Sequence, residues 1–176
     1  MVDTNTKIYI ANLGKYNEGE LVGAWLNLPT NEEELQETFD KICLNDEYEE
    51  YAIHDYESGM GELEIGEFED IETLSENIEQ IENLDEYEYI ALRAFLENTV
   101  SQDIDNALKN VNDGNFCIYN GCNNMEDVAM EYVYQAGILE SMPENLQCYF
   151  DFKAYGRDME IEGTFIFIDG DCVEFY

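Results

Sequence analysis

An α+β fold, laid out as an elongated chain of three small domains, is predicted by three observations. Short strand-like runs stand near both ends: KIYIANL, LVGAWLNL and YAIHDYE on one side, TFIFID and VEFY on the other. Between them, apolar residues recur every three or four positions, the period of a helix. Only two prolines occur in 176 residues, and no Ser/Gly-rich run is present, so long flexible linkers are not expected. The expected divisions are an N-terminal α+β domain over 1–60, an acidic helical domain over 61–112 and a C-terminal α+β domain over 113–176.

The first domain reads β-β-α-β. Lys7 to Leu13 and Leu21 to Leu28 form a hairpin across the turn-rich GKYNEGE. Pro29 ends the second strand, and Thr30 with Glu33 has the spacing of a capping box for a helix carrying Leu35, Phe39 and Ile42. Tyr51 to Glu57 alternates as a third strand, and the glycines of SGMGE close the unit.

The middle is organised around its charge. Between Lys41 and Arg93 there is no Lys or Arg, while eighteen Asp and Glu residues occupy those fifty-one positions. Within the run Phe68, Ile71, Leu74, Ile78, Ile81 and Leu84 recur at helical spacing, so the acidity is expected on a folded amphipathic helix. Read as one helix, Glu67 to Glu88 carries a carboxylate about every 3.3 Å, at about 1.5 Å of rise per residue. One strand of duplex DNA carries a phosphate about every 3.4 Å. Asp85 and Glu88 have the spacing of a cap for a second helix through Ile90, Ala91, Ala94 and Phe95. Val100, Ile104, Leu108 and Val111 mark a third, ending at NDGN.

In the last part, FCIYN is a short strand. Asn124 and Asp127 cap a helix with Met125, Val128, Ala129, Tyr132, Val133 and Ala136 on its apolar face, stopped by Gly137. Ser141, Pro143 and Glu144 read as the start of another helix carrying Leu146, Tyr149 and Phe150. After AYGRD the chain turns to a final hairpin, TFIFID and VEFY, across Gly170 and Asp171.

Composition excludes several classes. The net charge is −35, from 42 acids against seven Lys and Arg. Such a charge opposes binding to nucleic acid or an anionic membrane and favours basic surfaces. Thirteen Tyr, nine Phe and one Trp with clear periodicity separate the chain from disordered acidic segments. No basic n-region precedes an apolar run at the N-terminus, which leads to the expectation of a cytoplasmic protein. The five cysteines, odd in number and scattered, read as reduced thiols.

No catalytic constellation emerges, and the expectation is a protein that is not an enzyme and uses no cofactor. His54 is the only histidine, set in an alternating strand, and reads as a structural imidazole. Cys117 and Cys122 lack the spacing of a zinc knuckle. Paired carboxylates are too abundant here to mark an acid/base pair. In DIDNALKNVNDG, Ala107 stands where a calcium loop needs an oxygen ligand, so no metal site is expected. An acidic divalent-cation-binding protein remains the alternative, on carboxylate density alone. An ordinary solvated helix face mixes both charge signs and gains ion pairs. A face of acids without bases repels itself, and a partner with a long basic groove is the simplest reason to keep it.

KIYIANLGKYNEGELVGAWLNLP with LNDEYEEYAIHDYE, and then MEDVAMEYV with GILESMPENLQCYFDFKAYGRDMEIEGTF, resemble the N- and C-terminal parts of the ArdA antirestriction family. The middle resembles the family only in its acidity. The resemblance implies a DNA mimic, dimeric through its C-terminal domain and commonly carried on mobile DNA. It would occupy the DNA groove of type I restriction-modification enzymes, at the methyltransferase core, blocking restriction and modification without chemistry of its own. Two copies at −35 each carry a formal −70, the charge of about 120 Å of duplex at ~1.7 Å per phosphate. The mimic surface is then expected at Asp46, Glu47, Glu49, Glu50, Glu62, Glu64, Glu67, Glu69, Asp70, Glu72, Glu76, Glu79, Glu82, Asp85, Glu86 and Glu88. The dimer contact is sought among Ala129, Tyr132, Val133, Ile138, Leu139 and Met142.

Overall fold

The computed structural model of the chain describes residues 4–98 and 104–176. Val100, of the third helical set, and Asp103, first in the calcium-loop candidate, lie outside them. The fold is mixed α+β, and the described residues contain two three-stranded sheets. The chain divides into two compact units, 1–84 and 85–176, so that the segment 61–112 is shared between them.

In the first unit, β1 (Thr6–Asn12) runs between β2 (Gly23–Leu28) and β3 (Tyr51–Ser58), antiparallel to both. Ile8 faces Leu26 across one ladder and Tyr56 across the other, and Ile8 and Ile10 are fully buried while Lys7 and Tyr9 turn outward. That is the two-residue alternation of a sheet with one covered face. The hairpin loop contains one helical turn, α1 (Leu13–Asn17), where the sequence suggested only a loop. Its cap is the fully buried Asn12, whose Oδ1 accepts from the Lys15 N–H at 2.9 Å. The Asn12 amide also donates to the carbonyls of Ile42 (3.1 Å) and Cys43 (3.2 Å) at the end of α2 (Glu32–Lys41). One buried side chain thus joins β1, α1 and α2 with its polar atoms satisfied.

The cap of α2 is Asn31, accepting from Glu34 N–H at 3.0 Å, and not Thr30. Asn is the better cap, and Thr30 is engaged elsewhere. Its N–H donates to Ser75 Oγ at 2.7 Å, and that hydroxyl donates back to the Thr30 carbonyl at 3.0 Å. Ser75 lies on α3 (Ile71–Glu82), so the acidic helix is pinned to the sheet unit. Ile71, Leu74, Ile78 and Ile81 are buried along its inner face. Phe68 departs from the expected stripe. Ile53 N–H donates to the Glu67 carbonyl at 2.8 Å, drawing residue 67 alongside β3, and Asp70 is extended and caps α3 from outside. The helix therefore starts three residues after Phe68, whose ring is 71% exposed. Met60, Leu63 and Ile65 are buried too, carrying the first unit beyond residue 60.

In the second unit, the chain order is α4 (Glu86–Asn98), α5 (Ile104–Asn112), β4 (Phe116–Tyr119), α6 (Met125–Gln135), α7 (Glu144–Gln147), α8 (Phe152–Glu162), β5 (Thr164–Ile168) and β6 (Asp171–Phe175). The sheet order is β4-β6-β5, antiparallel throughout. Successive residues of β6 serve opposite faces. Cys172 packs with Tyr119, Cys122 and Val128 beside Met125 and Met159, under α6 and α8. Phe175, two residues along from the fully buried Val173, meets Phe95 of α4 edge-on at 5.4 Å. The hairpin turns on Asp169 (φ 50°) and Gly170 (φ 93°), one residue earlier than expected, with Ile168 facing Asp171. Two successive positive φ values make it the tight turn that matches strand twist.

Helix α8 stands where the sequence pattern predicts only a turn at AYGRD. Asp151 caps it, accepting from Ala154 N–H at 2.9 Å. Gly156 in its interior argues against a helix by propensity, yet a Cβ there would lie 2.2 Å from the Met125 carbonyl oxygen. Glycine is what lets α8 lie on the start of α6. Ser141, in turn, does not cap the short α7. Its hydroxyl donates to the Ile138 carbonyl at 2.6 Å within the 3-10 turn Leu139–Ser141, and Tyr149 and Leu146 are exposed.

Candidate functional site

The acids of the base-free run reach solvent by four local devices, three in the first unit and one opening the second. Ahead of β3, Asn45 pairs with Tyr48, and its Oδ1 accepts from Glu47 N–H at 2.9 Å. The Tyr48 hydroxyl donates to Glu18 (3.0 Å) and accepts from Lys15 Nζ (3.0 Å), and Leu13 N–H donates to the Glu50 carbonyl (3.0 Å). On this braced tip Asp46, Glu47, Glu49 and Glu50 are exposed. After β3, apolar Met60, Leu63 and Ile65 turn inward between Glu62, Glu64 and Glu67, of which Glu64 and Glu67 are exposed and Glu62 half-buried. On α3, the buried stripe leaves Glu72, Glu76, Glu79 and Glu82 on the outer face.

The second unit opens with Asp85, Glu86 and Glu88. Asp85 Oδ1 accepts from Tyr87 and Glu88 N–H, both at 2.9 Å, while Asp85 N–H donates to Glu88 Oε2 at 2.9 Å. This is the capping box read from the sequence. A single helix from Glu67 to Glu88 is not formed, since Asn83 terminates α3 and α4 begins at Glu86. The even 3.3 Å charge ladder does not exist. The four glutamates of α3, Glu72 to Glu82, span eleven residues, roughly 5 Å of axial rise from one charge to the next.

Of the sixteen expected mimic residues, none is buried; Glu62, Glu69 and Glu88 are half-buried and the others exposed. Some also hold backbone. Asp70 accepts from the N–H (2.8 Å) and hydroxyl (2.9 Å) of Thr73, and these hydrogen bonds hold its carboxyl below the usual aspartate range. Glu69 accepts from Gly66 N–H at 2.7 Å. Of the seven bases, Lys7 pairs with Glu57 (2.9 Å), Lys15 with Glu18 (3.1 Å), Lys41 with Glu37 (3.6 Å) and Arg93 with Asp169, all acids outside these sixteen. Acids just before the base-free run are exposed as well. Glu32, Glu33, Glu34, Glu37 and Asp40 are all exposed on α2, and the i, i+4 pairing of Lys41 with Glu37 leaves most of that face acidic. The signal lay in the same helical period that placed Leu35 inward.

His54 is half-buried and meets Tyr16 edge-on at 4.7 Å, in a groove shared with Asp55, Tyr56 and Glu67. Among the described residues no group of three or more His, Cys, Asp or Glu is arranged to hold a metal. Burial pushes the Cys172 thiol up to about 12, which removes it from thiolate chemistry at neutral pH. Of the residues named for a dimer contact, Ala129 and Val133 are fully buried and Leu139 is buried, while Ile138 and Met142 are half-buried and Tyr132 is exposed.

The family model described as antirestriction protein (ArdA) matches residues 8–174. The chain belongs to the ArdA antirestriction family. The match runs through the acidic middle as well as through the flanks quoted above. Membership implies an antirestriction function exercised on restriction enzymes, in a family not known for catalysis. No curated protein matches the chain. No helix among the described residues is long and apolar enough to cross a membrane.

Proposed function

We propose that this ArdA-family protein is a DNA mimic that occupies the DNA-binding groove of a type I restriction-modification enzyme, at its methyltransferase core. Occupation blocks restriction and modification together. The observation that carries the reading is the outward placement of carboxylates on braced backbone through a run of fifty-one residues that contains no Lys or Arg. A groove built to neutralise phosphates presents Lys and Arg side chains to any polyanion of suitable spacing. Rigid presentation adds affinity, because the ordering entropy is spent in folding and not on binding. The protein acts in the cytoplasm on behalf of incoming mobile DNA, as a homodimer joined through its C-terminal domain, residues 113–176.

Cleavage of DNA by a type I enzyme, measured with increasing amounts of the protein, tests the reading. Inhibition at micromolar concentration that weakens as salt is raised is the expected result, and DNA cleavage unaffected at low salt would refute it. Single Glu→Gln changes should leave inhibition largely intact, because the interaction is spread over many charges.

A further inference from the structure

Two places in the described structure share one local hydrogen bond, the back-link of the Asp85–Glu88 capping box and a matching link at Gly66–Glu69 that the sequence pattern does not indicate. In Gly66-Glu67-Phe68-Glu69 the first N–H donates to the carboxylate three residues on, Gly66 N to Glu69 Oε1 at 2.7 Å. In Asp85-Glu86-Tyr87-Glu88 the same link runs from Asp85 N to Glu88 Oε2 at 2.9 Å. Each places an aromatic residue between two glutamates at the third position, just before or within the first turn of an acidic-run helix. Both rings are turned to solvent, Phe68 71% and Tyr87 55% exposed.

The backbone beneath both rings is held. Around Phe68, the Glu67 carbonyl accepts from Ile53 N–H at 2.8 Å and Asp70 caps α3. Around Tyr87, its own N–H donates to Asp85 Oδ1 at 2.9 Å. Scattered exposed apolar residues are common and need no explanation. An exposed ring on pinned backbone, repeated with the same flanking acids and the same hydrogen bond, is a different object. It loses little conformational freedom on binding, which is the property of an interface anchor.

We infer that Phe68 and Tyr87 are anchoring rings for the basic groove of the target enzyme, taking the places where that groove meets base or sugar while the flanking glutamates meet its phosphate-binding cations. This rests on the mimic reading above and adds to it a component of affinity that salt does not screen. Electrostatic contacts set the slope of log affinity against log salt, and stacking or apolar contacts lower affinity at every salt alike when removed.

The test measures binding of a type I methyltransferase across a salt series for the unaltered protein, Phe68→Ala, Tyr87→Ala, their double variant, and Glu67→Gln with Glu86→Gln. The double alanine variant is expected to bind roughly 10- to 100-fold more weakly with its salt slope unchanged. The double glutamine variant is expected to show a shallower slope. Phe68→Tyr and Tyr87→Phe, which keep the rings, are expected to retain affinity, separating loss of the anchor from any loss of fold. Alanine variants that bind like the unaltered protein, beside glutamine variants of reduced slope, would overturn the anchors and leave the mimic reading standing. Absence of binding by the unaltered protein would overturn both.

Discussion

Helices α3 and α4 come from the same acidic run and are separated by three residues, yet they are opposite kinds of helix. α3 buries one stripe and gives its other face to four glutamates. In α4, Tyr89, Ala91, Leu92, Ala94 and Leu96 are all buried, on several sides of the helix, and two of its three acids, Glu86 and Glu88, lie in the first turn. The first is a surface helix that displays charge; the second is an interior helix with a charged entrance. A uniform density of acids along the sequence therefore hides two different jobs, and the buried residues distinguish them.

The largest expected effect tests the interior role of α4. Leu92→Ala should destabilise the protein by about 2–5 kcal/mol, because Leu92 is fully buried and its loss leaves a cavity. Glu79→Gln on the outer face of α3 should change stability by less than about 0.5 kcal/mol. Urea unfolding of both variants checks the contrast, and comparable losses would break it.

A middle-sized effect tests how α3 is held. Ser75→Ala removes both hydrogen bonds to Thr30 and leaves its N–H and carbonyl without those partners, at a cost of about 1–3 kcal/mol. Faster amide exchange confined to α3 and the 28–32 segment is the expected signature.

The smallest effect is pH-dependent. Asp70→Ala should cost about 1 kcal/mol near neutral pH by removing the cap of α3. The folded carboxyl titrates below the ordinary aspartate range, so its stabilising contribution is present above that range and is lost as pH falls through the folded value. The difference between Asp70→Ala and the unaltered protein should accordingly shrink in acid, followed by thermal melts at several pH values. A difference that stays constant into acid would show that the carboxylate charge is irrelevant to the cap.

Much of the fold was legible because it is local. The Asp85–Glu88 box and the Asn124 cap form as their spacing indicates, since each closes hydrogen bonds within four residues. The hairpins and the inward positions of α3 and α5 follow from periods of two and 3.6 for the same reason. The candidate site was legible as composition: every acid chosen from the base-free run is at least partly exposed. Its actual spacing was not, because Ile53 draws residue 67 toward β3 ahead of α3 and Asn83 ends the helix before Glu86.

The sequence by itself determined that the chain folds, that it is α+β, where α4 and α6 start, and that its acids face outward. Only the tertiary structure decided the rest. Gly156 is a helix breaker by propensity and a packing necessity against Met125. Thr30 serves Ser75 instead of capping α2, and Ala129 and Val133 lie in the interior of the second unit. Phe68, placed on an apolar stripe by its spacing, stands in solvent. Each of these turns on a partner far along the chain, and a periodicity of three or four residues carries no information about such a partner.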